Sequence, residues 1–119
     1  MKKIISTTFL FGALLCANMF SAQKMTQEKM KAIYTDDVTQ FKKQFTPGDY
    51  NKCFTIGNES FTPLGFSTLS TKKTIVKFLL DSKVNINKKC QNQTPLEIAE
   101  SSKNVEIAQY LIERGAKRD

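Results

Sequence analysis

Two stretches of the chain match each other without a gap over 26 positions. The segment 62–87 (TPLGFSTLSTKKTIVKFLLDSKVNIN) aligns with the segment 94–119 (TPLEIAESSKNVEIAQYLIERGAKRD), which gives a repeat period of 32 residues. Repeats of this length are typical of solenoids, in which each unit buries its apolar side against the next unit. The sequence therefore predicts a stack of similar units rather than one irregular core.

Each repeat has the pattern of two antiparallel helices. Thr62 and Thr94 are favourable N-cap residues, and each precedes a proline at the first helical position, where a missing N–H has no cost. Glu97 lies three residues after Thr94 and completes a capping box. In the second helix of each repeat, apolar residues recur with the spacing i, i+1, i+4, i+5, which places them on one face. The predicted helices cover approximately residues 63–70, 74–82, 95–102 and 105–114.

These motifs together resemble the ankyrin repeat, in which a Thr-Pro-Leu opening precedes two helices and an exit into a β-hairpin finger. The segments that carry the resemblance are Thr62-Pro63-Leu64, Phe78-Leu79-Leu80, Val84-Asn85-Ile86-Asn87, Thr94-Pro95-Leu96, Tyr110-Leu111-Ile112 and Gly115-Ala116. The resemblance implies an all-α solenoid of about three helix-turn-helix units with short β-hairpin fingers. The predicted domain at 23–119 contains a degenerate unit at 25–58, a unit at 59–91 and a unit at 92–119.

The chain departs from the family pattern just after the Thr-Pro-Leu motif. Gly65 and Glu97 stand where a histidine is usual in the family. This difference removes a hydrogen bond that is typical between ankyrin units.

The first 22 residues have the layout of a secretory signal peptide. Two lysines follow Met1, residues 4–17 are mostly apolar, and a strongly polar run begins at Gln23, which predicts cleavage after Ala22. A lipid anchor at Cys16 and a retained anchor helix are the alternatives. Cleavage lowers the formal net charge from +7 to +5 and leaves 97 residues. We therefore predict a bacterial protein exported to the periplasm or the extracellular space, with no stable membrane span in the mature chain.

Cleavage would leave Cys53 and Cys90 as the two cysteines of an exported chain, and an oxidising compartment favours a disulfide. By the resemblance, both cysteines follow the exit segments of neighbouring units. Equivalent positions in stacked units lie about 10 Å apart, whereas the Cα atoms of a disulfide lie about 4.4–6.8 Å apart. A bridge would require the longer loop at 46–61 to close the difference. A disulfide, two separate buried thiols and a reactive cysteine all remain open on the sequence alone.

The resemblance also implies a partner-binding surface, made of the finger tips and the exposed side of the short first helices. By position this surface comprises Lys52, Ser60, Phe61, Lys88, Lys89, Asn92 and Gln93. Phe61 either is partly exposed and anchors a partner or packs over the long first loop. The lysines either form an electropositive surface for an acidic partner or serve solubility.

The composition offers little for catalysis. The chain has no histidine, which removes the usual general base and the commonest metal ligand, and three cysteines alone do not complete an ordinary zinc site. Asp36 and Asp37 are adjacent carboxylates, but they fit a turn and a helix N-terminus, where negative charge is favourable. We predict no enzymatic activity, no cofactor and no metal. Nucleic acid is disfavoured as a partner because the chain is predicted to be exported and lacks a basic-aromatic motif.

Two functions remain on these grounds. The first is a non-catalytic module that binds an unidentified protein partner in the bacterial periplasm or envelope through its finger tips and short inner helices. The second is a structural or self-associating envelope protein, in which Gln109, Tyr110 and Glu113 cover an end of the stack that another copy contacts. The first interpretation predicts a monomer, and the second predicts weak self-association.

Overall fold

The computed structural model describes residues 23–118, which form six α-helices, a small three-stranded sheet and a short 3-10 helix. The predicted leader at 1–22 lies outside the described residues. The helices are α1 (Gln27–Tyr34), α2 (Val38–Gln44), α3 (Pro63–Leu69), α4 (Lys73–Asp81), α5 (Pro95–Ser101) and α6 (Val105–Glu113). The strands are β1 (Gln23–Lys24), β2 (Phe54–Ile56) and β3 (Glu59–Phe61), and the 3-10 helix is Pro47–Asp49.

The helices form three pairs, α1 with α2, α3 with α4 and α5 with α6, as the repeat predicts. The four predicted helices end within one residue of the observed bounds. The hydroxyl of Thr62 accepts a hydrogen bond from the Gly65 N–H at 2.9 Å, and that of Thr94 accepts from the Glu97 N–H at 3.2 Å. The Glu97 carboxylate in turn accepts from the Thr94 N–H at 2.9 Å, which confirms the capping box.

A left-handed residue joins the two helices of every unit. Asp36, Thr71 and Lys103 occupy this position with φ of 55°, 60° and 58°. Such values favour glycine, and a side chain there costs about 1–2 kcal/mol. The shared geometry allows each second helix to fold back antiparallel to the first.

Aromatic rings fill much of the core of the first unit. The rings of Phe41 and Phe45 stack with centroids 4.5 Å apart, and Phe54 of β2 meets Phe45 edge to face at 5.4 Å. All three are fully buried. Burial of each ring contributes about 1.5–3 kcal/mol. The aromatic side chains therefore join the degenerate unit and the long loop that follows it in one core.

The sheet extends the predicted hairpin finger by one strand. β2 and β3 pair antiparallel, as expected of a finger, and the Gly57 backbone at φ 61° forms the turn between them. β1 pairs with β2 in parallel, with Gln23 opposite Phe54. The sequence did not predict β1, because two polar residues carry no alternating pattern.

No helix within residues 23–118 is long and apolar enough to cross a bilayer.

Candidate partner-binding surface

Two fingers project between successive units, and we define them by their residues. Finger one is the β2–β3 hairpin at 54–61, and finger two is the shorter hairpin at 88–93. Finger two closes through a bridge between Cys90 and Gln93, and the two residues between them, Gln91 and Asn92, have φ of 63° and 67°. Two successive positive φ values are typical of a type I′ turn, which matches the twist of a hairpin.

The side-chain amide of Gln91 pairs with the edge of finger one. Its Oε1 accepts a hydrogen bond from the Ser60 N–H at 2.9 Å, and its Nε2 donates to the Asn58 carbonyl at 2.8 Å. The carboxamide therefore occupies the place that a peptide group of a further strand would take. Sequence reasoning missed Gln91, because a glutamine in a polar turn has the same appearance as any solvated residue.

A disulfide joins the loop before finger one to finger two. The sulfurs of Cys53 and Cys90 are bonded, and their Cα atoms are 6.0 Å apart. Cys53 directly precedes β2, at the end of the long first loop. Together with the Gln91 amide, the disulfide holds the two fingers in one relative position.

The predicted surface residues differ in their exposure. Lys52, Lys89, Asn92 and Gln93 are exposed, whereas Ser60 and Lys88 are half-buried. The Nζ of Lys52 lies 3.2 Å from the Asp49 carboxylate. Lys52 thus contacts the first loop instead of finger two. Ser60, Lys88 and Gln93 line one shallow depression between the fingers and α5.

The exposure expected of Phe61 as an aromatic anchor is wrong. Phe61 is only 9% exposed, and its ring centroid lies 5.9 Å from that of Phe66 on α3. It is the inward-facing residue of β3, opposite the fully buried Phe54 of β2. The period-2 alternation of the strand directs Phe61 into the core and Ser60 outward. Phe61 therefore serves the fold, which was the alternative interpretation of this residue.

The short first helices offer less surface than the resemblance implies. On α3, the first six residues, 63–68, are all buried, and Leu69 at the end of the helix is 40% exposed. The equivalent residue of α1, Tyr34, is 52% exposed and contacts Phe66 with ring centroids 5.7 Å apart. The inner helix of the middle unit thus reaches solvent mainly at its last turn.

The residues that we expected at the open end of the stack lie elsewhere. Gln109, Tyr110 and Glu113 line a groove between α4 and α6, opposite Lys73 and Lys77. They lie on the side of α6 that faces the preceding unit, where Glu106 pairs with Lys73 of α4. The prediction that these three residues cover the end of the stack is wrong. Two apolar side chains of α6 are exposed, Val105 at 73% and Ile112 at 47%.

Within residues 23–118, no group of three or more acidic or cysteine side chains is arranged to hold a metal ion. The fingers present backbone groups, side-chain amides and lysines, which are able to form hydrogen bonds and ion pairs.

Comparison with known families gives a match over most of the chain. A family model described as ankyrin repeats, in three copies, matches residues 29–119. No curated protein matches the sequence.

Proposed function

The chain belongs to the ankyrin repeat family, and from this premise we propose that it is a non-catalytic module that binds a protein partner through its two fingers. Ankyrin repeats are protein-interaction modules and are generally not enzymes. The proposed contact residues are Lys52, Ser60, Lys88, Lys89, Asn92 and Gln93, without Phe61.

The observation that carries this proposal is the double link between the fingers. The Cys53–Cys90 disulfide and the Gln91 amide fix finger two against finger one before any partner arrives. A surface that is already ordered loses less conformational freedom on binding. Lys88 and Lys89, which precede Cys90, give finger two a positive charge, which favours an acidic partner.

We also propose that the protein works in an oxidising compartment, in the bacterial periplasm or envelope or outside the cell. The leader-like sequence at 1–22 and the disulfide both support this location. Intact-mass spectrometry of protein from a periplasmic extract tests it. We expect a chain that begins at Gln23 and carries no free thiol, and a full-length chain with free thiols in the cytoplasm would contradict the proposal.

Crosslinked pull-down from envelope fractions tests the binding function. The double variant Lys89→Glu/Asn92→Asp reverses the charge at finger two, and aspartate tolerates the left-handed backbone at position 92. We expect it to lose the protein that the wild type captures. The variant Lys103→Glu, at an exposed turn outside the fingers, serves as the matched control and keeps the partner. Equal capture by all three proteins would contradict binding through the fingers.

Self-association is a second candidate function, which the exposure of Ile112 supports. Ile112 is 47% exposed, whereas Leu80, its equivalent in the middle unit, is 7% exposed under the third unit. Light scattering at micromolar concentration tests it. A wild-type dimer together with a monomeric Ile112→Glu variant would support self-association. A monomeric wild type would contradict it.

A further inference from the structure

A second groove lies between the first two units, away from the finger residues. It forms where α2, the 3-10 helix and the end of α4 meet, and Lys42, Tyr50, Asn51, Phe78 and Lys83 line it. We call it the Lys42–Lys83 groove. Its volume of about 370 Å³ is enough for two or three side chains of a peptide.

The floor of this groove is aromatic. The rings of Tyr50 and Phe78 meet nearly edge to face, with centroids 5.9 Å apart. The Nζ of Lys42 lies 5.5 Å from the centroid of Phe78. An apolar side chain of a ligand would pack favourably on these rings, and a negatively charged group next to it would pair with Lys42.

The two lysines of the groove have no carboxylate partner within residues 23–118. Asp37, the acidic residue nearest to Lys42 along the chain, accepts from the Thr39 N–H. Asp49 and Asp81 pair with other cations: Asp49 contacts Lys52 at 3.2 Å, and Asp81 contacts Lys77 at 2.8 Å and Arg114 at 3.0 Å. The groove between α4 and α6 differs, because its Lys73 lies 2.6 Å from Glu106 of the same chain. Of these two grooves, the Lys42–Lys83 groove is the one whose lysines are not neutralised by carboxylates from residues 23–118.

The backbone at Lys83 adds an independent observation. Lys83 has φ of 66°, and Gly115 occupies the corresponding position of the third unit with φ of 101°. Glycine takes this conformation at the lower cost. A lysine therefore stands at this helix end at a cost in stability that the glycine of the third unit does not carry.

We propose that the Lys42–Lys83 groove binds an acidic segment of a protein partner. Carboxylates of the segment pair with Lys42 and Lys83, and an apolar side chain between them packs on Tyr50 and Phe78. Asn51 uses its Oδ1 to accept from the Asn85 N–H at 2.7 Å, which leaves its NH₂ group to donate to the segment. This inference rests on the proposed binding function and adds a second contact site together with the chemistry of its ligand.

An NMR titration of the isotope-labelled purified protein tests the groove directly. The probe is the blocked peptide Glu-Asp-Phe-Asp-Glu, and the control is the uncharged peptide Gln-Asn-Phe-Asn-Gln. We expect saturable shifts at the amides of Lys42, Asn51, Phe78 and Lys83 with the acidic peptide only. Shifts confined to the fingers, equal shifts with the uncharged peptide, or no shifts at millimolar peptide would each overturn the proposal.

Charge-reversal variants of the two lysines provide a second test of the groove. The variant Lys42→Glu/Lys83→Glu is expected to bind the acidic peptide at least about tenfold more weakly, the loss of roughly one charge-assisted contact. The variant Lys103→Glu/Lys117→Glu changes the net charge equally at exposed positions outside the groove and is expected to bind as the wild type does. Equal weakening in both variants would assign the binding to net charge and overturn the site. Binding to anionic phospholipid vesicles without binding to the peptide would overturn it as well.

A stability measurement separates the strain from the function. Lys83→Gly and Lys103→Gly both remove a side chain from a left-handed position, and both are expected to raise the melting temperature by a few degrees. Only Lys83→Gly is expected to bind the acidic peptide more weakly than the wild type does. Unchanged affinity in Lys83→Gly would contradict a role for this lysine. The finger variant Lys89→Glu/Asn92→Asp is expected to bind the peptide normally, so failure of the groove and failure of the finger surface are distinguishable.

Discussion

Thr68 has a fully buried hydroxyl that makes no hydrogen bond to any residue from 23 to 118. An unpaired buried polar group costs about 1–3 kcal/mol. The replacement Thr68→Val keeps the shape of the side chain and removes the hydroxyl. We expect it to raise the free energy of unfolding by about 1 kcal/mol, measured by urea denaturation.

The matched control for Thr68 is its neighbour on α3. Ser67 is equally buried, but its hydroxyl donates to the Pro63 carbonyl at 2.7 Å. Ser67→Ala should lower the free energy of unfolding by about 1 kcal/mol. A change of the same sign in both variants would contradict this account of the α3 hydroxyls.

Asp49 shows how one side chain makes the first loop dependent on pH. Burial raises its pKa, but hydrogen bonds from the Thr46 backbone N–H, from Lys52 and from the Thr46 hydroxyl outweigh it and hold the pKa below the ordinary 3.8. A carboxylate with a lowered pKa stabilises the folded state above pH 3.8, and this contribution is lost as the pH falls through the folded-state value.

The prediction for Asp49 concerns the difference between wild type and Asp49→Asn. We expect the wild type to have the higher melting temperature at pH 6, with a difference that shrinks as the pH falls below 3.8. Thermal unfolding followed by circular dichroism measures it. A difference that stays constant with pH would contradict the assignment.

At the scale of the elements, a residue of the first unit caps a helix of the second unit. The first turn of α4 has no side-chain cap from its own N-cap residue, Lys72. The Asp36 carboxylate supplies it, because it accepts from the Ile75 N–H at 3.0 Å and from the Thr74 N–H at 3.4 Å. Its neighbour Asp37 caps α2 through the Thr39 N–H at 2.8 Å, so the expected helix N-terminus is confirmed for Asp37.

Asp36→Ala should therefore lower the free energy of unfolding by about 1–2 kcal/mol, since it removes the cap of α4 and places alanine at φ 55°. Asp36→Asn is the control, because asparagine keeps an acceptor oxygen and tolerates the left-handed region. We expect it to retain most of the stability in urea denaturation. Equal losses in both variants would show that the negative charge matters more than the hydrogen bonds.

Inter-unit contacts of this kind recur along the stack. The Asn51 side chain accepts from the Asn85 N–H at 2.7 Å, and the Asn87 side chain accepts from the Lys117 N–H at 2.9 Å. Both asparagines lie in exit segments and bind the backbone of the following unit. These hydrogen bonds join successive units through their exit segments.

Gly65 stands at one of the two positions where a histidine is usual in the family. A Cβ atom at this position would lie 3.2 Å from Cδ1 of Ile98 on α5. The space that a histidine would occupy is filled by the close approach of α3 and α5. The sequence revealed the departure from the family pattern, and the packing shows what replaced it.

At the scale of the whole molecule, the disulfide offsets the small size of a three-unit stack. The Cys53–Cys90 bridge spans 37 positions of sequence. A loop of this length contributes about 3–4 kcal/mol by restricting the unfolded chain. We expect Cys53→Ser/Cys90→Ser to lose about this amount in urea denaturation under oxidising conditions.

Reduction provides the control for the disulfide prediction. Wild-type protein treated with dithiothreitol should unfold at the urea concentration of the double serine variant, and the variant should not respond to dithiothreitol. Mass spectrometry should show two hydrogens gained by the wild type on reduction. Identical unfolding of wild type and variant before reduction would contradict a stabilising bridge.

The sequence by itself determined the repeat, the two helices of each unit, the N-caps and the family. These features depend on local signals, namely a 32-residue period, Thr-Pro openings and helical spacing of apolar residues, which act over one or two turns. That locality is why the predicted helix bounds agree with the structure to within one residue.

Only the tertiary structure decided the surface. The burial of Phe61, the pairing of Gln91 with finger one, the cap that Asp36 provides and the disulfide all join residues that belong to different elements. Gln91 and Ser60 are 31 positions apart, Asp36 and Ile75 are 39 apart, and the two cysteines are 37 apart. No local signal encodes these contacts, because they form only when one unit packs on the next and brings distant polar groups and sulfurs within bonding distance.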